Sequence, residues 1–266
     1  MSGRTAERSQ AEAARRCLSV LGAVQRESAE LVLPVDGGTA LLSPSLPQLF
    51  DANLLRLIAR AHAGASELVR TTARLAAEHA LTSVTVTTDD PVRARALAPG
   101  FAALEWVEEQ HVMMLAAEGA DRPPHRWAPV AEVEPAHVVA ARREWLESND
   151  WAAPALVEQF LRHDRRLGDL LGERCFAVHL ERRVVSYCRL LQREDVAQIE
   201  DVVTSPLHRN KGYARAVVAA ARAAAGVAGA RDVFLVTDAH DWPRLLYQRL
   251  GFAPARVVWR FRDRSV

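Results

Sequence analysis

The sequence predicts an α/β protein built on a mixed sheet and organised as two successive halves. Three observations carry this. Short β-branched runs alternate with Ala-rich stretches at helical spacing along the 266 residues. One strand, beginning at Ile199, turns into a helix through the basic, Gly-containing loop Arg209-Asn210-Lys211-Gly212-Tyr213-Ala214. The order strand, short helix, Gly-Phe-Ala occurs twice, after Val84 and after Phe234, as an internal duplication would give.

In the first half, residues 5–29 read as one Ala-rich helix with an apolar stripe at Cys17, Leu18, Leu21 and Val24. Leu31–Val35 and Thr39–Leu42 flank Asp36-Gly37-Gly38, a hairpin signal. Pro44 and Pro47 break the chain before a strand at Asn53–Ile58. A helix over Ser66–His79 and a strand over Ser83–Thr87 follow. Asp90–Leu97 reads as a short helix closed by Pro99-Gly100-Phe101, and Leu104–Leu115 as a long strand.

Residues 118–126, with Gly119, Pro123 and Pro124, read as a linker. Trp127–Val133 then supplies a strand and Glu134–Leu146 a helix, interrupted at Ser148-Asn149-Asp150. Ala155–Leu171 continues helically. Cys175–Leu180 and Val184–Leu191 are strands joined at Glu181-Arg182-Arg183, leading into Ile199. Past the helix that opens at the basic loop come a strand at Asp232–Thr237, a short helix at Pro243–Leu250 and a last strand at Val257–Phe261. Asp241 and Pro243 are start signals for that short helix and Gly251 a stop.

Composition bounds the function. Hydrophobic content of 49% with 25% charged residues is that of a globular protein with a sizeable core. No apolar run reaches the ~18 residues of a membrane span, and MSGRTAERSQ lacks the apolar core of a signal peptide. A cytoplasmic protein without membrane partners is the expectation. A net charge of +1 argues against nucleic-acid binding. Cys17, Cys175 and Cys188 are odd in number and lack metal or redox spacing, so buried free thiols and no metal site are expected.

The loop after Ile199 is the chemically informative stretch. A helix start leaves N–H groups unpaired at the positive end of the helix dipole. Gly212 allows close backbone approach to a phosphate, and Arg209 and Lys211, the only lysine in the chain, add charge. The P-loop pattern fails because no Lys-Ser/Thr follows the glycine, and G-x-G-x-x-G fails because one glycine is present. The plain alternative is a solvated β–α turn. What matches is R-x-x-G-x-A after a strand, followed in order by Leu246-Tyr247-Gln248-Arg249-Leu250-Gly251-Phe252, an L-Y-x-x-x-G-F run.

These two motifs, in this order and with a strand between them, resemble the GCN5-related N-acetyltransferase (GNAT) superfamily over residues 126–263. The resemblance implies an acetyl-CoA-dependent acyltransferase, with acetyl-CoA as cosubstrate and a primary amine, small molecule or peptide, as acceptor. It implies tandem GNAT-like domains: a degenerate copy over 1–117, the linker 118–126 and a complete domain over 127–266. The first copy has Arg60-Ala61-His62-Ala63-Gly64-Ala65 where R-x-x-G-x-A belongs, and Leu97-Ala98-Pro99 in place of the segment bearing the tyrosine. It is expected to bind no acetyl-CoA.

By the same resemblance, Val202, Val203 and Thr204 contact the cofactor along the strand, and Arg209, Asn210, Lys211, Gly212, Tyr213 and Ala214 hold its pyrophosphate. Tyr247 becomes the general acid for the departing thiolate, since a phenol of pKa ~10 is protonated at neutral pH. Glu200 becomes the candidate base that deprotonates the amine, with Asp201 on the opposite face by strand alternation. The family builds its acceptor pocket from the loop between the first two helices, here Trp145, Asn149, Asp150 and Trp151, which equally fit core aromatics at a helix break. His208, His240 and Asp238 read as loop and turn residues. The competing readings are a non-catalytic acyl-CoA sensor or scaffold and a structural dimer module paired through edge strands; monomer and homodimer both remain open.

Overall fold

A computed structural model describes residues 2–58, 62–117 and 129–264. Two compact units interleave along the chain: Met1–Val20, Met114–Val236 and Trp242–Ala255 form one, and Leu21–Met113, Thr237–Asp241 and Arg256–Val266 the other. The linker expected at 118–126 and Trp127 of the expected strand lie outside the described residues.

The unit dominated by the first half contains the end of helix α1 (Ser2–Ser28) and the hairpin β1 (Leu31–Val35) and β2 (Gly38–Leu42), in which Leu31 opposes Leu42 and Val35 opposes Gly38. Gly37 closes the turn at φ 93°. Strand β3 (Leu54–Leu57) runs antiparallel to β2, helix α2 (Ala65–Glu78) crosses over, and β4 (Thr85–Thr88) returns parallel to β3. Helix α3 (Pro91–Ala103) leads into β5 (Trp106–Ala116). The last strand of the chain pairs antiparallel with β4, Trp259 against Thr88 and Phe261 against Val86. The core gathers Leu42, Leu55, Leu68, Leu75, Val86, Leu97, Phe101 and Phe261.

Helix α3 corrects the sequence reading, which closed it at Pro99-Gly100-Phe101. It runs through all three residues to Ala103. Ala94, Leu97 and Phe101 are buried at helical spacing, and Phe101 stacks on Phe261 at 4.4 Å and on Trp106 at 5.2 Å. That packing offsets the roughly 3 kcal/mol an internal proline costs.

In the other unit β6 (Ala131–Val133) precedes a 3-10 turn at Pro135–His137, helix α4 (Val139–Glu147) and helix α5 (Pro154–Leu171). The single helix expected from Glu134 is therefore two pieces, with Pro135 in the opening 3-10 turn. Gly172 ends α5 in the left-handed region at φ 67°, its N–H bonded to the Gly168 carbonyl. Strands β7 (Arg174–Leu180), β8 (Arg183–Arg193) and β9 (Val196–Thr204) form an antiparallel ladder beside β6. A 3-10 turn at Pro206–His208 and helix α6 (Tyr213–Val227) lead to β10 (Asp232–Asp238), parallel to β9. Helix α7 (Pro243–Arg249) and β11 (Phe252–Asp263) complete the chain. The N-cap of α7 falls on Trp242, not Asp241, and carries no side-chain cap. The expected mixed α/β sheet is present. Arg16 of α1 pairs with Asp232 at 2.7 Å within this unit.

Candidate active site

Strand β9 organises the site. It pairs with β10 over only three residues, Val196–Gln198 against Asp232–Phe234, although both strands continue beyond. On its other edge it stays paired with β8 as far as Thr204, where Ser186 Oγ donates to the Val203 carbonyl at 2.9 Å. The β9–β10 pairing thus ends at Gln198. That leaves a slot between strands, lined by N–H and C=O groups that an extended polar ligand can pair with.

A bulge sits inside the slot. Tyr187 opposes Val203 and Arg189 opposes Glu200, so Asp201 and Val202 together face Cys188. Asp201 adopts φ 51°, the left-handed conformation such a bulge needs. Its carboxylate meets Arg142 at 2.8 Å and Arg189 at 2.9 Å, on the side where α4 and α5 pack. Glu200 accepts a hydrogen bond from the Gln198 side chain.

Beyond Thr204 the chain turns at Pro206–His208 and exposes Arg209, Asn210, Lys211 and Gly212 before α6. Asn210 (φ 61°) and Gly212 (φ 82°) are both left-handed, and Gly212 is the N-cap of α6. Nothing lies within 4 Å of where a Gly212 Cβ would be, so the glycine serves backbone conformation and leaves the helix start open. Arg209 Nε donates to the Thr204 carbonyl at 3.4 Å. Val203 is buried, while Val202, Thr204, Tyr213 and Ala214 are half-buried along the same path.

Tyr247 on α7 is buried and packs edge-on against Phe252 at 6.3 Å. Burial, then the negative charge that Cys188, Glu200 and Asp201 can carry, holds its phenol above the ordinary range, so it stays protonated. Tyr247, Glu200 and the bulge therefore share one electrostatic neighbourhood. The Cys188 thiol is pushed up by burial and donates to the Val217 carbonyl at 3.3 Å; all three cysteines are buried and free.

Other residues singled out have local tasks. Asn149 Nδ2 donates to the Trp145 carbonyl at 2.6 Å, capping the end of α4. Trp145 packs on the cluster around Tyr187 and Val203 with Arg142 over its ring, and Trp151 lies exposed against Phe160. Asp238 accepts from the His240 amide at 2.7 Å, as a turn residue does.

A buried ionic network escaped the sequence reading. Arg189 binds Asp164 at 2.9 Å, Asp201 at 2.9 Å and Glu173, and Arg142 binds Asp164 at 2.9 Å. Burial first, then Asp201, raises the Asp164 carboxyl; Arg142 and Arg189 overcome burial to hold Asp201 low. The available signal was a charge, Arg189, inside the otherwise uncharged run Val184–Leu191.

Residues 172–254 match the acetyltransferase (GNAT) domain model. This stretch holds the ladder β7–β9, the parted β9 and β10 and the basic loop before α6. Among solved structures, the whole chain is similar to a GCN5-related N-acetyltransferase from Kribbella flavida, at 16% identity and TM-score 0.63, covering 95% of each chain. A conserved protein of unknown function from Staphylococcus epidermidis aligns at 11% identity and TM-score 0.68, over 87% of this chain and 92% of its own. A GCN5-related N-acetyltransferase from Sphaerobacter thermophilus aligns at 17% identity and TM-score 0.57, over 85% and 76%. At these identities the likeness is one of fold. The sequence matches no curated protein. Among the described residues no helix is long and apolar enough to cross a membrane.

Proposed function

We propose that the chain is an acetyl-CoA-dependent N-acetyltransferase that acetylates a primary amine by direct attack in a ternary complex. The carrying observation is the parting of β9 from β10 at Gln198, with the open basic loop at one end of β9; the buried Tyr247 of α7 feels the charge of Glu200 and Asp201. The slot fits an extended pantetheine arm, its amides pairing with the free edge at Val202–Thr204. Arg209, Lys211 and the first N–H groups of α6 fit a pyrophosphate. A backbone N–H near Val203 is the donor for the thioester oxygen as charge develops on it.

The chemistry balances on two side chains. Glu200 takes the proton of the acceptor ammonium, directly or through water, and the neutral nitrogen attacks the thioester carbon. The C–N bond forms as the C–S bond breaks, Tyr247 gives its proton to the departing thiolate, and the second proton that the nitrogen sheds on becoming an amide restores the Tyr247 phenol through water. The domain reading belongs to the same proposal. Residues 1–117 are a GNAT-like copy without a cofactor loop, 118–126 a linker, and 127–266 the acetyltransferase domain. Acetyl transfer to a panel of primary amines, followed by thiol release, tests this. The proposal requires transfer to at least one amine that disappears in Tyr247→Phe, and a cofactor-binding protein that acetylates none would contradict it.

A further inference from the structure

We propose that Asp201 is a positioning residue for acetyl transfer. Clamped by Arg142 and Arg189, it holds the β9 backbone left-handed and so aims the amides that follow it at the thioester oxygen. This rests on the acyl-transfer reading and adds the device that shapes its strand. Three observations lead there.

The first is conformation. Among the described residues, seven that are not glycine have positive φ. Six of them, Ala80, Glu105, Glu181, Arg182, Glu194 and Asn210, stand in turns between elements. Asp201, at φ 51°, is the one inside a strand. A side chain disfavours this conformation, and a bulge whose first residue is left-handed ordinarily has glycine there. Such a conformation persists only where the surroundings over-determine it.

The second is the clamp. Arg142 of α4 holds one Asp201 carboxylate oxygen at 2.8 Å, and Arg189 of β8 holds the other at 2.9 Å. Both arginines are buried. Arg189 is itself fixed by Glu173, by the Asp164 carboxylate at 2.9 Å and by the Asp164 carbonyl at 2.8 Å. A carboxylate gripped from two elements has little freedom to turn, and the backbone that carries it is held with it.

The third is place. The bulge lies just past Gln198, where β9 and β10 part, and immediately before Val202–Thr204. It sets one extra residue against β8, which bends β9 and turns the peptide groups that follow away from a regular ladder. A backbone donor speeds the reaction only when it points at the oxygen on which charge develops. The two arginines take up the Asp201 carboxylate, so its part in transfer runs through the backbone.

Asp201→Ala and Asp201→Gly separate backbone from charge, because both remove the carboxylate and only glycine takes φ 51° freely. Neither strands a charge, since Arg142 keeps Asp164, and Arg189 keeps Asp164 and Glu173. The full chain with Asp201→Gly is expected to melt above that with Asp201→Ala, the reverse of the order in a regular strand. In acetyl transfer, Asp201→Ala should lower kcat roughly tenfold or more with KM for acetyl-CoA little changed. Asp201→Gly should recover most of that loss. A side chain that serves stability alone would lower the melting temperature in both variants and leave kcat in place. That result, an alanine variant melting at or above the glycine variant, or a glycine variant as slow as the alanine one would each overturn the inference. A wild type that acetylates no amine would strike the acyl-transfer reading instead, and the melting order would still decide whether Asp201 holds a strained bulge.

Discussion

The junctions β3–α2 and β9–α6 share a strand-to-helix order and differ in backbone conformation and surroundings at the helix start. At α6 the N-cap is Gly212 at φ 82°, and Arg209 to Gly212 are exposed. At α2 the N-cap is Gly64, extended at φ −76°, and the flanking Ala63 and Ala65 are buried. Arg93 of α3 donates to the Ala63 carbonyl, and a Cβ at Gly100 would meet Ala65 at 2.8 Å. Helix α3 thus packs beside the first turn of α2, while Gly64 itself is exposed and, like Gly212, has nothing within 4 Å of a Cβ. An open helix start suits an anion where the turn before it also carries exposed charge, as Arg209 and Lys211 do before α6.

The helix–strand junctions that follow make the same point about chemistry. Helix α7 is followed by Leu250, left-handed Gly251 at φ 83° and Phe252 opening β11. Helix α3 is followed by Leu104, left-handed Glu105 at φ 61° and Trp106 opening β5. Counting back equally from Gly251 and Glu105 reaches Tyr247 and Phe101. Each ring contacts the aromatic that opens its strand, yet only Tyr247 has a hydroxyl to donate. Matching Gly100-Phe101 to Gly251-Phe252 by sequence was therefore five residues out of register with the backbone.

The largest expected effect breaks this second comparison. Tyr247→Phe should lower kcat roughly hundredfold or more with KM little changed. Phe101→Tyr should leave acetyl transfer alone and lower the melting temperature by burying a hydroxyl. Next, Arg209→Ala with Gly212→Asp should weaken acetyl-CoA binding roughly hundredfold, whereas Gly64→Asp leaves it unchanged; calorimetry reads both.

Smaller effects sharpen the contrast. Asp90 caps α3 by accepting from the amides of Val92 at 2.8 Å and Arg93 at 3.2 Å, while α7 lacks a side-chain cap. Asp90→Ala should cost about 1 kcal/mol in urea unfolding. The smallest effect is in acid. His111, 3.7 Å away, and then a hydrogen bond from Arg262 hold the Glu109 carboxyl at about 2, below its ordinary 4.5. A depressed carboxyl stabilises the fold above the unfolded value, and that share fades as pH falls from 4.5 toward 2. Glu109→Gln should flatten this part of the stability profile, measured by urea unfolding at several pH values.

Much of this was legible in the sequence because local signals agreed. Asp36-Gly37 fixed the hairpin, Gly212 the α6 start, and the β-branched runs the ladder β7–β9. The α3 boundary was not legible, because burial of Phe101 outweighs a proline that locally signals a stop. The bulge at Asp201 was invisible to alternation, since it depends on which residues of β8 lie opposite. The network around Arg189 joins residues from α4, α5, β8 and β9, a proximity that only the fold creates.

The most direct test of the central claim is titration of the protein with acetyl-CoA beside the Arg209→Ala/Gly212→Asp variant. Micromolar binding by the wild type, lost in the variant, is the expected result. A wild type that fails to bind, or a variant that binds equally well, would contradict it.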